Sequence, residues 1–421
     1  MRSSRSLFLA LWFVAAADGQ LLNVSVTPQQ IAAGSGDVKV KVSGYGFTAA
    51  MQVLWNGQPR ATQFVNDFLL KVTITQSDLA QPGLVQMTVI DTGSGQTISG
   101  PIPILIYLPI ANNDLTYDSS RGKIYVSVSK QDDNGPALAI VNPDQGVVER
   151  YVPLPSEPGA LALSAHANYL YIGMADRIRR MDLTGSTADV DIPASILIAS
   201  QPSLPASIPF QATSLLALPN LETSFIVAAY FNGFYSGFVV DGTTLRPAHS
   251  NEPGRCLVGS PDGVTIYSGP GLLQSTLGDT GLPYAPNHED DALAAGPACP
   301  VYANGLIYGS DGDVVDPVSH SRVRWIPALG NLDVVPANNQ VYFLDRLGGS
   351  STGTPTLRFE VFDGQSGSLL KSVPLGLQMS VANNGASNGH LIHWGSDGVA
   401  FGDYSTLNST VAKWLYLMHV P

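Results

Sequence analysis

Gly122-Lys123-Ile124-Tyr125-Val126-Ser127-Val128 is a short apolar run built around a tyrosine and opened by a turn glycine. The same figure returns as Tyr169-Leu170-Tyr171-Ile172, Ser224-Phe225-Ile226-Val227, Thr265-Ile266-Tyr267, Leu306-Ile307-Tyr308 and Gln340-Val341-Tyr342-Phe343. A weaker copy is Gly398-Val399-Ala400-Phe401. Counted at Tyr125, Tyr171, Ile226, Tyr267, Tyr308, Tyr342 and Ala400, the intervals are 46, 55, 41, 41, 34 and 58 residues. Recurrence on this scale is the mark of a repeat architecture. A unit of roughly 40–50 residues holds a few short strands and cannot bury both faces of its own sheet. Set radially, such units cover one another, which is the logic of a β-propeller. The repeats occupy residues 108–421, and seven landmarks predict seven blades, with six or eight also compatible.

Secondary features follow the same rhythm. Upstream of most landmarks lies a short strand and a polar turn, as in Leu161-Ala162-Leu163-Ser164 followed by residues 165–168. Downstream, apolar residues end in Asn142, Asp182, Asp241, Asp316 and Asp363. Asn and Asp at such places bond to backbone two residues on and cap the turn. The last unit offers strands at 391–394, 399–402 and 414–420, one short of four. Three strands would leave an edge open, and the segment near 105–109 is placed to supply the fourth and lock the ring.

The repeats resemble the YVTN-type propeller units of secreted bacterial proteins. The likeness rests on Asn113-Asp114-Leu115-Thr116-Tyr117-Asp118, on residues 122–128, and on Glu157-Pro158-Gly159-Ala160-Leu161-Ala162-Leu163-Ser164. His393-Trp394-Gly395-Ser396-Asp397-Gly398-Val399-Ala400-Phe401 resembles a terminal repeat that accompanies IPT/TIG domains in such proteins. The likeness thins across residues 185–300.

Before the repeats, residues 20–107 read as a separate small β-sandwich. In Val38-Lys39-Val40-Lys41-Val42 the valines face one way and the lysines the other, the period of a half-buried strand. Further strands are expected at 52–55, 69–74, 85–90 and 102–106, separated by Gly44-Tyr45-Gly46, Asn56-Gly57, Pro82-Gly83 and residues 91–95. Spacing of this kind suits an immunoglobulin-like sandwich. The segment is similar to the IPT/TIG family through Pro28, Ala33-Gly34, Val42-Ser43-Gly44-Tyr45-Gly46-Phe47, Val53-Leu54-Trp55-Asn56-Gly57, Asp78-Leu79, Pro82-Gly83 and 85–89 leading to Ser99. That resemblance implies a spacer or adhesive module when extracellular. Phe47 and Trp55 are expected to fill its core.

Composition narrows the remaining classes. The 421 residues include 42 glycines and 30 prolines, which excludes a mostly helical protein. Hydrophobic residues at 44% exclude global disorder. A net charge of −12 without Lys/Arg clusters argues against nucleic acid and against an anionic membrane surface. Residues 1–19 combine Arg2 and Arg5 with the apolar run Leu7–Ala17, too short to span a bilayer, and read as a signal peptide. No later stretch is long and apolar enough to span, so a secreted, periplasmic or cell-surface protein is expected, as a monomer. The two cysteines, Cys256 and Cys299, sit in similar settings before strand-like segments. An oxidising compartment favours a disulfide tying neighbouring repeats, with two buried thiols as the alternative.

The search for chemistry is thin. His288-Glu289-Asp290-Asp291 is the densest acidic stretch and the one metal candidate, suited to a hard divalent cation such as calcium; otherwise it is a solvated loop. No other cofactor is expected. Asp311-Gly312-Asp313 opens like a calcium loop but lacks the rest of one. Gly349-Ser350-Ser351-Thr352-Gly353 matches the serine-hydrolase string, yet joins strand to strand where the motif needs a strand-to-helix turn. Asp132-Asp133-Asn134-Gly135 reads as a hairpin turn, and of seven histidines only His390 and His393 are close. No catalytic residue is assigned. Two function classes stand. One is a non-catalytic binding or scaffold protein whose propeller recognises an envelope or extracellular protein or polysaccharide. The other is a propeller enzyme, a hydrolase, lyase or oxidoreductase with a channel-mouth site that could hold a metal.

Overall fold

The computed structural model describes residues 23–201, 205, 208–251, 256–268, 272–283, 288–289, 299–345, 356–378, 391–402 and 414–420. Within these the chain is nearly all β and divides into two compact units. The division does not fall at one point. Residues 38–74 and 86–102 belong to the first unit, with the chain start up to Pro28, whereas 29–37, 75–85 and 103–421 belong to the second. The leader expected at 1–19 lies outside the described residues. Among the described residues no helix is long and apolar enough to cross a membrane.

The first unit has two sheets. One runs in the order Ser25–Thr27, Val38–Ser43, Leu69–Ile74, Thr62–Asn66. In the other, Met51–Trp55 pairs with Gln58–Arg60 and with Gly83–Asp91. Period-two alternation is obeyed: Val40, Val42, Val53, Leu70, Val72, Ile74, Met87 and Val89 are buried, as are Phe47 and Trp55. Asn56 and Gly57 take φ of 47° and 76° between paired strands, the left-handed pair that a two-residue hairpin turn requires.

The second unit is a succession of four-stranded antiparallel meanders of the propeller type. The first consists of Asn112–Asp118, Lys123–Val128, Ala137–Asn142 and Val147–Pro153. The second is Pro158–Leu163, Tyr169–Met174, Arg177–Asp182 and Val190–Pro193. Gln211–Ala217, Ser224–Phe231, Phe234–Asp241 and Thr244–Leu245 make the third. The fourth has Leu257–Gly259, Thr265–Ser268, Leu273–Thr276 and His288–Glu289. The fifth has Val301–Ala303, Leu306–Tyr308, Asp313–Asp316 and Ser321–Trp325. Gly330–Val335, Gln340–Asp345, Thr356–Asp363 and Leu369–Gln378 form the sixth. The last takes Leu391–Trp394, Gly398–Gly402 and Leu415–His419 from the end of the chain, and Ile102–Leu108 from before the first repeat. Leu415 pairs with Leu108 and Tyr416 with Tyr107, the closure expected from the missing fourth strand. Residues 30–32 add a strand parallel to 105–107 on that same element, and Tyr416 Oη hydrogen-bonds Gln30 Oε1 at 3.0 Å.

Each aromatic or aliphatic landmark lies on the second strand of its meander and is buried there. The reason is that each faces the next sheet. Tyr125 packs with Leu161, Leu170 and Ile172; Tyr171 with Phe225 and Val227; Ile226 with Leu257 and Ile266. Tyr267 meets Ile307, Tyr308 meets Leu332 and Val341, and Tyr342 meets Leu391 and Val399. Ala400 then packs with Leu115 and Ile124 of the first meander, so the series of cores returns to its start. Close approach is built in: a Cβ on Gly173 would lie 2.5 Å from the Cβ of Ala212 on the adjoining sheet.

Asp182, Asp316 and Asp363 accept the N–H two residues on, as expected, and Asn142 caps its turn through the N–H three residues on. Asp241 differs. Its carboxylate instead takes the Arg246 guanidinium and the Ser224 hydroxyl, because the following strand brings Arg246 alongside.

Cys256 and Cys299 form a disulfide with Cα atoms 5.4 Å apart, at the entries to the first strands of the fourth and fifth meanders. These strands have only three residues each, so each makes few ladder bonds within its own sheet. The crosslink closes a loop of sequence separation 43, which predicts a contribution of about 2–4 kcal/mol. Cys256→Ser/Cys299→Ser should lower the urea midpoint accordingly, and the native protein should yield no free thiol until reduced. Equal midpoints for the two proteins would contradict this.

Candidate functional site

The first strands of the meanders neighbour one another in chain order, and the strand beginning at Leu391 neighbours the one beginning at Asn112. Polar side chains on these strands are where a central site would be assembled. Asp114 uses both carboxylate oxygens on backbone: Oδ1 accepts from Leu115 N–H at 2.8 Å and Oδ2 from Leu161 N–H of the next meander at 2.7 Å. Asp333 repeats the arrangement, Oδ1 accepting from Val334 N–H and Oδ2 from His393 N–H at 2.7 Å. Ser214 does the same more weakly, accepting from Leu257 N–H at 3.2 Å. These side chains are struts between successive first strands.

His393 Nδ1 lies 2.7 Å from the same Asp333 oxygen, with its side chain about one-third exposed. The hydrogen bond to Asp333 raises the His393 pKa above the ordinary 6.5, against the opposing effect of burial. Glu157, in the turn before Pro158, is fully engaged as well. Its Oε1 accepts from Asn113 Nδ2 and Ser129 Oγ, both at 2.8 Å, and Oε2 from Lys130 N–H.

Sequence reasoning missed an Asn-x-Asp figure that occurs twice on first strands, as Asn112-Asn113-Asp114 and Asn331-Leu332-Asp333. Asn112 and Asn331 are both buried, and the Oδ1 of each has no hydrogen-bond partner among the described residues. Asn112 Nδ2 donates to Ile110 O at 2.9 Å, which fixes its amide with the oxygen unpaired. An amide oxygen in that state suits a water or a ligand hydroxyl. The figure could have been found by aligning residues 112–114 with 331–333, since the aspartates make the same bonds.

Of the residues singled out from sequence, Asp132, Asp311, Asp313 and His393 are described with their side chains, and they belong to the first, fifth and last meanders. His288 and Glu289 form the last strand of the fourth meander, with His288 paired to Gln274 and Glu289 to Leu273. Asp290, Asp291, His390 and the Gly349–Gly353 string lie outside the described residues. Asp311 accepts from Asp313 N–H, and Asp313 is paired with Arg322 at 3.0 Å, so this stretch is a turn closed by an ion pair. Burial raises the Asp311 pKa. Asp132 caps its own hairpin and also accepts from Ala111 N–H at 2.8 Å. Among the described residues no group of three or more His, Cys, Asp or Glu is arranged to hold a metal ion.

The chain matches no family model and no curated protein. Among solved structures it is similar to a protein of unknown function from Bacteroides thetaiotaomicron, at 12% identity over 95% of this chain and 99% of that one, TM-score 0.37. A quinonprotein alcohol dehydrogenase-like protein from the same organism gives 12% identity over 85% and 97%, TM-score 0.39. An auxiliary nutrient binding protein from Bacteroides ovatus gives 10% over 94% and 98%, TM-score 0.38. At such distances these likenesses say nothing of ligand or activity.

Two outcomes are expected from the struts. Asparagine has one acceptor oxygen where aspartate has two, so Asp114→Asn leaves a backbone N–H unpaired and should cost about 1–3 kcal/mol in a urea melt. The His393 pKa is raised on folding, so its contribution to stability is complete below about pH 6.5 and is lost as pH rises through the folded value. The thermal midpoint of the wild type, measured relative to His393→Gln, should therefore fall as the pH is raised from about 6.5 through the folded pKa. Parallel curves would show that the pair is not coupled to folding.

Proposed function

We propose that the chain is an exported, non-catalytic recognition protein, with an IPT/TIG-like module and a seven-bladed propeller of YVTN-like repeats. The propeller presents its loops to an envelope or extracellular protein or polysaccharide. The observation that carries this reading is the use of the first-strand carboxylates. Asp114 and Asp333 hold the neighbouring strands through backbone N–H groups, and both oxygens of Glu157 accept from the scaffold. A general base or a nucleophile activator needs a lone pair aimed at a reacting atom, and every oxygen of these three carboxylates already accepts a bond that fixes it to the scaffold. The seven cores that pass from sheet to sheet support the blade count. The disulfide and the apolar leader support export to an oxidising compartment.

The test uses the full mature chain on arrays of extracellular polysaccharides and envelope proteins, alongside lactone, glycan and phosphoester turnover panels. Saturable binding without turnover is expected. Turnover by the wild-type chain on any of these panels would replace this reading with a channel-mouth enzyme.

A further inference from the structure

The first unit carries a row of lysines on one face of a sheet. Between residues 38 and 74 there are four basic residues and a single acid, Asp67, in a protein of net charge −12. Three of the basic residues, Lys39, Lys41 and Lys71, lie on one sheet face. Lys41 stands directly opposite Lys71, and Lys39 opposite Thr73. The row continues on either side to Thr27, opposite Lys41, and Gln63, opposite Lys71. No carboxylate enters it.

None of the three lysines has an ion-pair or hydrogen-bond partner among the described residues. Like charges set opposite each other on paired strands are destabilising. A fold that keeps them there, unpartnered and on solvent-facing positions, is poised for an anionic partner. Strand geometry places the lysine Cα atoms about 5 Å apart across the pair and about 7 Å apart along it.

Aromatic surface adjoins the charge. Ser43 and Leu69 are the next outward pair after Lys41 and Lys71, and Tyr45 and Phe68 follow immediately beyond. Tyr45 is 69% and Phe68 51% exposed, and their rings meet edge-on at 5.4 Å. Phe64 and Val65 on the neighbouring edge strand are each 40% exposed.

We propose that this face binds a linear acidic polysaccharide. Its anionic groups would lie on Lys39, Lys41 and Lys71, its neutral hydroxyls against Thr27, Ser43 and Gln63, and a sugar ring against Tyr45 and Phe68. Three aspects of the face favour a glycan over other polyanions: the cations are few and spaced, the intervening groups are neutral hydrogen-bonders, and the aromatic ledge offers an apolar contact to the carbon-bound hydrogens of a pyranose. Nucleic acid calls for a denser basic track, and an acidic peptide would leave the ledge unused. The proposal concerns the first unit alone and is independent of what the second unit binds.

The experiment measures binding of the full mature chain to polygalacturonate and heparin, with neutral dextran, poly-glutamate and single-stranded DNA as comparisons. Salt-sensitive binding to at least one of the two acidic glycans is expected, weakened about tenfold by Lys41→Gln/Lys71→Gln. Tyr45→Ser/Phe68→Ser should weaken the glycan while leaving any residual poly-glutamate binding unchanged. Removing opposed charges relieves repulsion, so the lysine variant should melt no lower than the wild type, which separates loss of binding from loss of fold. Binding to neither glycan, binding indifferent to the lysine variant, or tighter binding of poly-glutamate or DNA would each overturn the proposal. Binding indifferent to the lysine variant would assign the glycan to another surface of the chain, whereas binding lost in that variant leaves the reading of the propeller untouched, because the substituted residues lie outside it.

Discussion

One backbone ladder, joining the last strand of the second unit to a strand from before its first repeat, makes everything else in it tenable. Residues 107 and 108 pair with 416 and 415, closing the last meander with a strand from before the first. Antiparallel sheets in series would otherwise end on two exposed faces and two open edges, both liabilities in water. Closure gives the last core its contents: Ala400, Leu415 and Leu417 pack with Leu115, Ile124 and Val126, residues nearly three hundred positions away in the chain. Formation of this ladder must await almost the whole chain, which makes the contact order high and the folding slow relative to a local meander.

Within the closed series, hydrophobic packing and polar bonding divide the work. Second strands carry the large side chains that cross to the next sheet, as in the 4.5 Å approach of the Tyr171 and Phe225 rings. First strands lend apolar residues such as Leu161 and Leu391 to the same cores, and add polar coupling through Asp114 and Asp333. A buried carboxylate is tolerable at Asp114 because both oxygens are satisfied by N–H groups. Between the fourth and fifth meanders, whose first strands are shortest, a covalent bond couples the sheets.

Much of this could be read from the residues alone, for a physical reason. A strand buried on both sides by neighbouring sheets must be apolar along its length, so the second strands stand out as runs such as 123–128 and 169–174. Turn aspartates are local and therefore visible. The alternation in 38–42 marks Lys39 and Lys41 as solvent-facing without further help. Other features depend on pairing across long separations. Nothing local sets Lys71 opposite Lys41, and the strand at 62–66 carries exposed Phe64 and Val65 where a buried pattern would have announced it. Asp241 reads like the other turn landmarks, yet its partner is chosen by where Arg246 arrives.

The struts also explain why the polar residues near the axis are poor guides to function. Burial, hydrogen bonding and a raised histidine pKa are the usual marks of an active site, and the Asp333–His393 pair has all three. Yet the oxygen of Asp333 that meets the imidazole also receives the His393 backbone N–H, so moving the carboxylate toward a substrate would release the strand it anchors. A group that holds the frame in this way is constrained from reorganising during a reaction. The unpaired amide oxygens of Asn112 and Asn331 carry no such duty, and they are neutral. As amide acceptors, those two can order a hydroxyl or a water but cannot take a proton from it.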